Sequence, residues 1–392
     1  MTTSPDDRRK VLYYVERYLP PSQAFVAQQA RALARYQPAI LAGSTMADLD
    51  REIIGFPVHD IRASPAMRAG ELALKTVRLP APALFPAVRQ ADLVHAHFGK
   101  NGYVIEPLAA RAAGKPLVTT FHGFDATFAG NAGDVDGFNQ VRFFAKGREQ
   151  MAKGGGWQIA VSDFIQDRLL ALGFSQERIF RHYIGVDTSL FSAPTRPRRK
   201  GLVVSVARFV EYKGHKLMIE ALERVAKAGT PVEFIMIGEG PLRDEIEALA
   251  RRSLPKVEVR EKQTQAQIRD LLSEAELYLH GAVTLANGHA EAFGIANLEA
   301  QAMGAPVVAF RSGGVGEAVE EGATGFLAAE RDVAAMADHI GRLLNDQPLW
   351  NAFSERAPRM VAERFDIRRQ TALLEDYYDS VLDAHEKGET RR

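Results

Sequence analysis

The sequence predicts an α/β protein built as two doubly wound parallel-sheet domains, and three observations carry that reading. At 392 residues the chain exceeds what one hydrophobic core usually supports. Short apolar runs alternate with amphipathic helical stretches throughout, the βαβ pattern of a mostly parallel sheet covered by helices on both faces. The alternation stops once, near Gly185-Val186-Asp187, and resumes after a stretch that holds Pro194, Pro197 and the cations Arg196, Arg198, Arg199 and Lys200. That stretch reads as a solvated linker. The expected division is a first domain over residues 1–190 and a second over 191–364. The amphipathic segment 365–385 is expected to return to the first domain, with Leu373, Leu374, Tyr377, Tyr378, Val381 and Leu382 on one face.

In the first half, residues 11–15 read as a strand and 25–35 as a helix, followed by strands at 93–96, 116–121 and 159–161. Ser162-Asp163 then signals a helix N-cap. The glycine run at Lys153-Gly154-Gly155-Gly156-Trp157 is too short for a phosphate loop and reads as a turn before a strand. In the second half, strands are expected at 202–206, 232–237, 257–259, 277–280 and 306–310, with helices such as 216–227 and 242–252 between them. Ligands of such sheets sit at the carboxyl ends of the strands, and a site in the cleft between two such halves is the default expectation.

Composition removes several function classes. Lys plus Arg equals Asp plus Glu at 49 each, which gives no whole-chain reason to expect nucleic acid. The absence of cysteine excludes disulfides, thiolate catalysis and Cys-ligated zinc, and fits a cytoplasmic protein. No run of about 18 apolar residues occurs, so no membrane-spanning helix is expected. A peripheral membrane contact stays open, since the first half carries a slight basic excess.

The residues that carry chemistry sit at expected strand ends. After the strand at 202–206 come Arg208 and Lys213, in a loop leading to a helix. A guanidinium fork and an ammonium there suit a diphosphate, although alone they could equally be exposed loop cations. Farther on, Glu291 precedes a helix whose first turn holds Gly294, with Glu299 eight residues later. Free amides and the helix dipole at that terminus suit an anion, and the two carboxylates can accept hydrogen bonds from sugar and ribose hydroxyls. Alone, this too could be a helix with a favourable N-terminal acid. In the first half His122 and Asp125 follow a strand, as His95 and His97 end another. No third ligand is evident for a metal held by the last two. Asp48 and Asp50, like Asp134 and Asp136, read as solvated loop acids.

Together, the Arg-x4-Lys-Gly loop, the Glu-x7-Glu helix, Gly238-Glu239-Gly240-Pro241-Leu242, Gly304-Ala305-Pro306-Val307-Val308 and Ser312-Gly313-Gly314-Val315-Gly316-Glu317 followed by Gly325-Phe326-Leu327 occur in order. As a set they resemble the retaining glycosyltransferases of family 4, which have the GT-B architecture of two Rossmann-like domains facing each other across a cleft. The resemblance covers nearly all of the second half. It implies a nucleoside-diphosphate-sugar donor held in the second domain, with Arg208 and Lys213 on the pyrophosphate, Glu291 on the transferred sugar and Glu299 on ribose. Gly238 and the amides of Phe293, Gly294 and Ile295 complete that donor set. His122 would lie near the transferred sugar, with Asp125 supporting its loop. The resemblance further implies retention, with the leaving diphosphate helping to take the acceptor proton, and no metal or cofactor.

The first loop, with Ser22 and Gln23, resembles the Pro-Ser-x-x-Phe segment of exopolysaccharide-type members and lacks the paired glycines many relatives place there. Ser22, Gln23 and Asp125 are therefore the acceptor-side candidates, and the expected acceptor is a hydroxyl of a saccharide or lipid-linked oligosaccharide. The alternative is a transferase that makes a soluble glycoside or sugar phosphate. His280-Gly281, where relatives have Pro-Ser, and Glu261-Lys262-Gln263, where they have glycine, are expected near the nucleotide base. A dinucleotide oxidoreductase would need Gly-x-Gly-x-x-Gly after the first strand, where Glu16-Arg17-Tyr18-Leu19 stand instead. A non-catalytic nucleotide-sugar binding protein would be expected to have lost Lys213 or Glu291.

Overall fold

The structure is a computed structural model that describes residues 8–18, 24–45, 55–80, 82–193 and 197–388. The chain divides into two compact units, Met1–Gly185 with Ile367–Arg392, and Val186–Asp366. In unit 1 the strands β1 (Arg9–Tyr18), β2 (Tyr36–Thr45), β3 (Val58–Asp60), β4 (Leu93–His97), β5 (Leu117–Phe121), β6 (Trp157–Ala160) and β7 (Ile179–Arg181) form one sheet in the order β3-β2-β1-β4-β5-β6-β7. In unit 2, β8 (Arg199–Val206), β9 (Glu233–Ile237), β10 (Val257–Arg260), β11 (Ala275–His280), β12 (Val307–Arg311) and β13 (Gly325–Ala329) form a second, in the order β10-β9-β8-β11-β12-β13. Every strand pair is parallel. Parallel strands are buried on both faces, which is why β4, β5 and β11 are buried end to end and read as apolar runs.

Strand order reverses between β1 and β4 in unit 1 and between β8 and β11 in unit 2. At such a switch point the loops leaving the two strands run in opposite directions and open a crevice at their carboxyl ends. The pairing Val204↔Tyr278 sets β8 and β11 in register, so the loops after Val206 and His280 emerge together. Two glycines weld them to their neighbours. Gly214 has φ 63°, and a Cβ on it would lie 1.8 Å from the Gly281 carbonyl oxygen. Gly238, after β9, would place a Cβ 2.0 Å from the Ala207 carbonyl oxygen.

The helix Ile367–Glu386 belongs to unit 1. Its buried Glu375 carboxylate accepts from the amides of Ala34 and Arg35 at 2.8 and 2.6 Å, capping the turn between the helix Ala24–Ala32 and β2. Leu374, Tyr378, Val381 and Leu382 face the core as the sequence predicts, whereas Leu373 points outward at 43% exposure, one helical step off that face. The linker reading also needs correction. Arg198 donates to the carbonyls of Leu272 and Ser273 at 2.8 and 3.0 Å, and Arg199 already lies in β8, paired with Glu233 at 2.9 Å. Pro194 and Arg196 lie outside the described residues. Ser162 caps its helix by accepting from the Ile165 amide at 3.1 Å, and Gly154–Gly156 lead directly into β6.

Candidate functional site

In unit 2 the predicted residues converge at the switch point. Arg208 follows β8 and is exposed, and its guanidinium has no hydrogen bond or ion pair among the described residues. Lys213 ends a single 3₁₀ turn, Glu211–Lys213, over the Tyr212 ring at 4.9 Å. Its ammonium is bonded to the Glu291 carboxylate, with both side chains about one-seventh exposed. Burial disfavours both charges, but each partner outweighs that penalty for the other. Glu291 is held well below the usual carboxylate range and Lys213 is raised. His280, at the end of β11, brings Nε2 to 3.5 Å from the same Glu291 oxygen, and burial keeps its pKa below the ordinary value. His280 thus sits against Glu291, and its buried Nε2 has no hydrogen-bond partner.

The loop after β11 carries Glu291 into the helix Ile295–Ala302, whose N-cap is Gly294 at φ 88°. The amides of Gly294, Ile295 and Ala296 have no acceptor among the described residues, as expected for an uncapped helix N-terminus. Glu299, on the same helix, is half-buried and accepts no hydrogen bond from a described residue, and burial pushes its carboxyl up to about 7. Asn297 is fully buried with both side-chain polar atoms unpaired. Sequence reasoning passed over it, because an asparagine in a first helical turn gives no sign of whether its amide is satisfied.

Phe293 is buried at 2% exposure, so its contribution to the site is backbone. Gly238 serves the close approach of two loops, which accounts for a glycine there without any ligand. Ser22, Gln23, Asp48 and Asp50 lie outside the described residues. Glu261 and Lys262 are exposed in the loop after β10.

In unit 1 a column of three imidazoles lies at the β4 and β5 ends. The His95 and His97 rings stack at 4.4 Å between centroids, and His97 and His122 at 5.2 Å. His95 is committed at both nitrogens, to Tyr378 Oη and Thr120 Oγ1 at 2.6 Å each. His97 Nδ1 meets His122 Nε2 at 3.0 Å, which leaves His97 Nε2 and His122 Nδ1 buried and unpaired. Desolvation lowers all three pKa values, so the rings are neutral at pH 7. The two β4 histidines share a face, as strand alternation predicts, but three of their four nitrogens are engaged with a tyrosine, a threonine and a third histidine.

Asp125 is buried and accepts from the amides of Gly99, His122 and Gly123 at 2.7, 3.1 and 2.9 Å, pinning the loop that carries His122. Burial nevertheless raises its pKa against those bonds. Asp125 also lines a pocket of about 290 Å³ with Glu16, Lys100, Phe98, Phe124 and Phe144. Within it Glu16 is paired with Lys100 and, at 3.2 Å, with Lys75.

The chain is 29% identical over 299 residues to WcaL of Salmonella typhimurium, described as a colanic acid biosynthesis glycosyltransferase, covering 72% of this chain and 70% of WcaL. It is also 29% identical, over 285 residues, to the amylovoran biosynthesis glycosyltransferase AmsK of Erwinia amylovora, covering 70% and 67% of the two chains. The fold matches the crystal structure of Anabaena HepE in complex with UDP and glucose at a TM-score of 0.74 and 20% identity, over 95% of this chain and all of that one. The model of glycosyltransferase family 4 matches residues 22–190 and that of glycosyl transferases group 1 matches residues 187–360. The chain belongs to this retaining, nucleotide-sugar-dependent family of GT-B glycosyltransferases.

Proposed function

We propose that this enzyme moves a sugar from a UDP-sugar to a hydroxyl of a saccharide or lipid-linked oligosaccharide in the assembly of an exopolysaccharide or cell-surface polysaccharide. The observation that carries the donor half is the convergence of unpaired Arg208, the Lys213–Glu291 pair and the open amides of Gly294–Ala296 at one switch point. A diphosphate there meets a guanidinium fork, an ammonium and a helix N-terminus. Glu291, held ionised, accepts hydrogen bonds from the hydroxyls of the transferred sugar, and Glu299 accepts them from ribose. The two relatives above, named for colanic acid and amylovoran biosynthesis, support the acceptor class, and the UDP and glucose bound to HepE support the donor.

In the reaction the bond between the anomeric carbon and the diphosphate oxygen breaks as the acceptor oxygen bonds to the same face of that carbon. The acceptor proton passes to the leaving diphosphate. Arg208, Lys213 and the helix terminus stabilise the charge that grows on it. In unit 1 the unpaired Nδ1 of His122 is the group offered to a sugar, and the Asp125-lined pocket is the acceptor candidate.

The test needs no acceptor. Purified protein is incubated with single UDP- and GDP-sugars, and free nucleotide is followed as donor leaks to water. Release from a UDP-sugar that disappears in Lys213→Ala and Glu291→Ala supports the assignment. Calorimetric binding of GDP-sugars and not of UDP-sugars would overturn the donor assignment, and binding of neither would overturn the roles given to Arg208 and Lys213.

A further inference from the structure

The helix Pro65–Val77 of unit 1 has an unusual outer face. Its core-facing side buries only Gly70 and Leu74. The exposed positions include Ala66, Ala69, Leu72 and Val77, with Arg68 as the only charge and Thr76 as the only hydroxyl. A solvated helix face normally carries mixed charges. Four of the five large hydrophobics that stand exposed among the described residues belong to this one region: Leu72 at 63%, Val77 and Leu79 at 62% and Phe138 at 59%. Phe138 comes from a distant part of the sequence. Arg142 ties it to the helix by lying over the Phe138 ring at 5.4 Å while donating to the carbonyls of Lys75 and Thr76 at 3.1 and 2.5 Å.

Along the helix and its flanks the charge is mostly positive, although the exposed acids Asp134 and Asp136 precede Phe138. From residue 61 to 90 the cations Arg62, Arg68, Lys75, Arg78 and Arg89 stand against Glu71 alone, and Glu71 is engaged by Lys75 at 2.8 Å. Arg62, Arg68 and Arg89 are exposed. A symmetric contact between two copies would set these cations against themselves. An anionic lipid surface complements them, and a helix with an apolar outer face flanked by arginines is suited to lie in a bilayer interface. The segment that carries Phe138 continues into Phe143 and Phe144, which line the Asp125 pocket.

We propose that the face formed by Leu72, Val77, Leu79 and Phe138 docks unit 1 on an anionic bilayer and presents the neighbouring pocket to an acceptor held in that membrane. This rests on the reading of a lipid-linked acceptor and adds the surface that meets the lipid.

The experiment is flotation of the full chain, without nucleotide, on vesicles of phosphatidylglycerol mixed with phosphatidylcholine and on phosphatidylcholine alone. The wild type should float with the anionic vesicles and much less with the neutral ones. Leu72→Glu/Val77→Glu should reduce the bound fraction tenfold or more, whereas Leu373→Glu, at the fifth exposed hydrophobic, should leave it unchanged. Should the double variant lose its wild-type circular dichroism, Phe138→Glu replaces it with the same expected loss. A wild type that does not float, or variants that float as well as it does, overturn the proposal. So does a wild-type dimer in sedimentation that Leu72→Glu dissociates, since the face would then be an interface between copies. Binding to lipid is read apart from donor release, so vesicle binding can fail while the transferase assay succeeds, and the reverse.

Discussion

Glu299→Gln should stabilise the protein, and only at high pH. The carboxyl is half-buried on the helix Ile295–Ala302 without a hydrogen bond from a described residue, and desolvation raises it from 4.5 to about 7. A raised carboxyl keeps its proton in the folded state at pH values where the unfolded chain has released it. Stability is therefore undiminished below the unfolded value and falls as pH rises from 4.5 to about 7, where the folded form also ionises. At roughly 1.4 kcal/mol per pH unit that interval corresponds to about 3 kcal/mol, and partial exposure reduces it to about 2 kcal/mol. Glutamine cannot ionise and escapes the penalty. For a unit of this size the gain at pH 8 should appear as a rise of about 4–8 °C in Tm, with almost none at pH 5. Trp350 lies in unit 2 and donates to the Glu276 carbonyl at 2.7 Å, so its fluorescence in a Trp157→Phe background reports the unfolding of that unit. An equal shift at both pH values, or none at pH 8, would refute the reasoning. The same substitution should abolish the proton release that accompanies UDP binding near pH 7, seen by calorimetry in buffers of different ionisation enthalpy.

Arg208→Ala should leave Tm within about 1 °C, because the side chain has no partner to lose, while weakening UDP binding by roughly tenfold to a hundredfold, the range of a charged hydrogen bond. Lys213→Ala should weaken UDP binding further, because it also leaves the Glu291 carboxylate facing the diphosphate, and Lys213→Ala/Glu291→Gln should recover part of that loss in the same titration. The neutral column of His95, His97 and His122 makes unit 1 sensitive to acid. Their depressed pKa values mean stability is fully present above about 6.5 and declines below it by roughly 1.4 kcal/mol per pH unit for each ring. His97→Phe should flatten that decline by one ring's worth, measured by denaturant unfolding between pH 6.5 and 5. Gly214→Ala should lower Tm by 10 °C or more, on the order of 3 kcal/mol or above, since the added carbon would lie 1.8 Å from the Gly281 carbonyl oxygen.

Much of the fold was legible because strands buried on both faces leave short, predominantly apolar runs. The strands at β1, β4, β5, β8, β9, β11 and β12 were read within a few residues of their bounds. β2 escaped notice because Tyr36–Thr45 mixes small and polar residues with a proline, and β3 and β7 have three residues each, too few for any period to show. Leu373 was misplaced because helical spacing fixes the direction of a stripe more firmly than its edge. In the site, Arg208, Lys213 and Glu291 could be picked out from their place at a strand or helix end, and Glu299 from its spacing to Glu291. Their pairing could not, since Lys213 and Glu291 are 78 residues apart and meet only because β8 and β11 become neighbours at the switch point. His280 joins them for the same reason. The Asp125 bond to the Gly99 amide and the contact of His97 with His122 likewise depend on the register of β4 and β5.

The pairing changes how the cations divide their work. With Lys213 bonded to Glu291, the two charges largely cancel, and in the proposed donor site the pull on an incoming diphosphate falls to Arg208 and the amides of Gly294–Ala296. The ammonium is not thereby idle. It keeps a buried carboxylate ionised where desolvation alone would protonate it, and an ionised Glu291 is a stronger acceptor for a sugar hydroxyl than a neutral acid. Glu299 shows the opposite arrangement, a carboxylate with no cation, near its midpoint at neutral pH and ready to be driven to its charged form by hydroxyl donors. Neither arrangement serves stability well. A half-buried carboxylate without donors lowers it, as does an asparagine buried with both polar atoms unpaired. Such groups persist around one switch point, and under the proposed donor assignment their missing partners are what a nucleotide sugar brings.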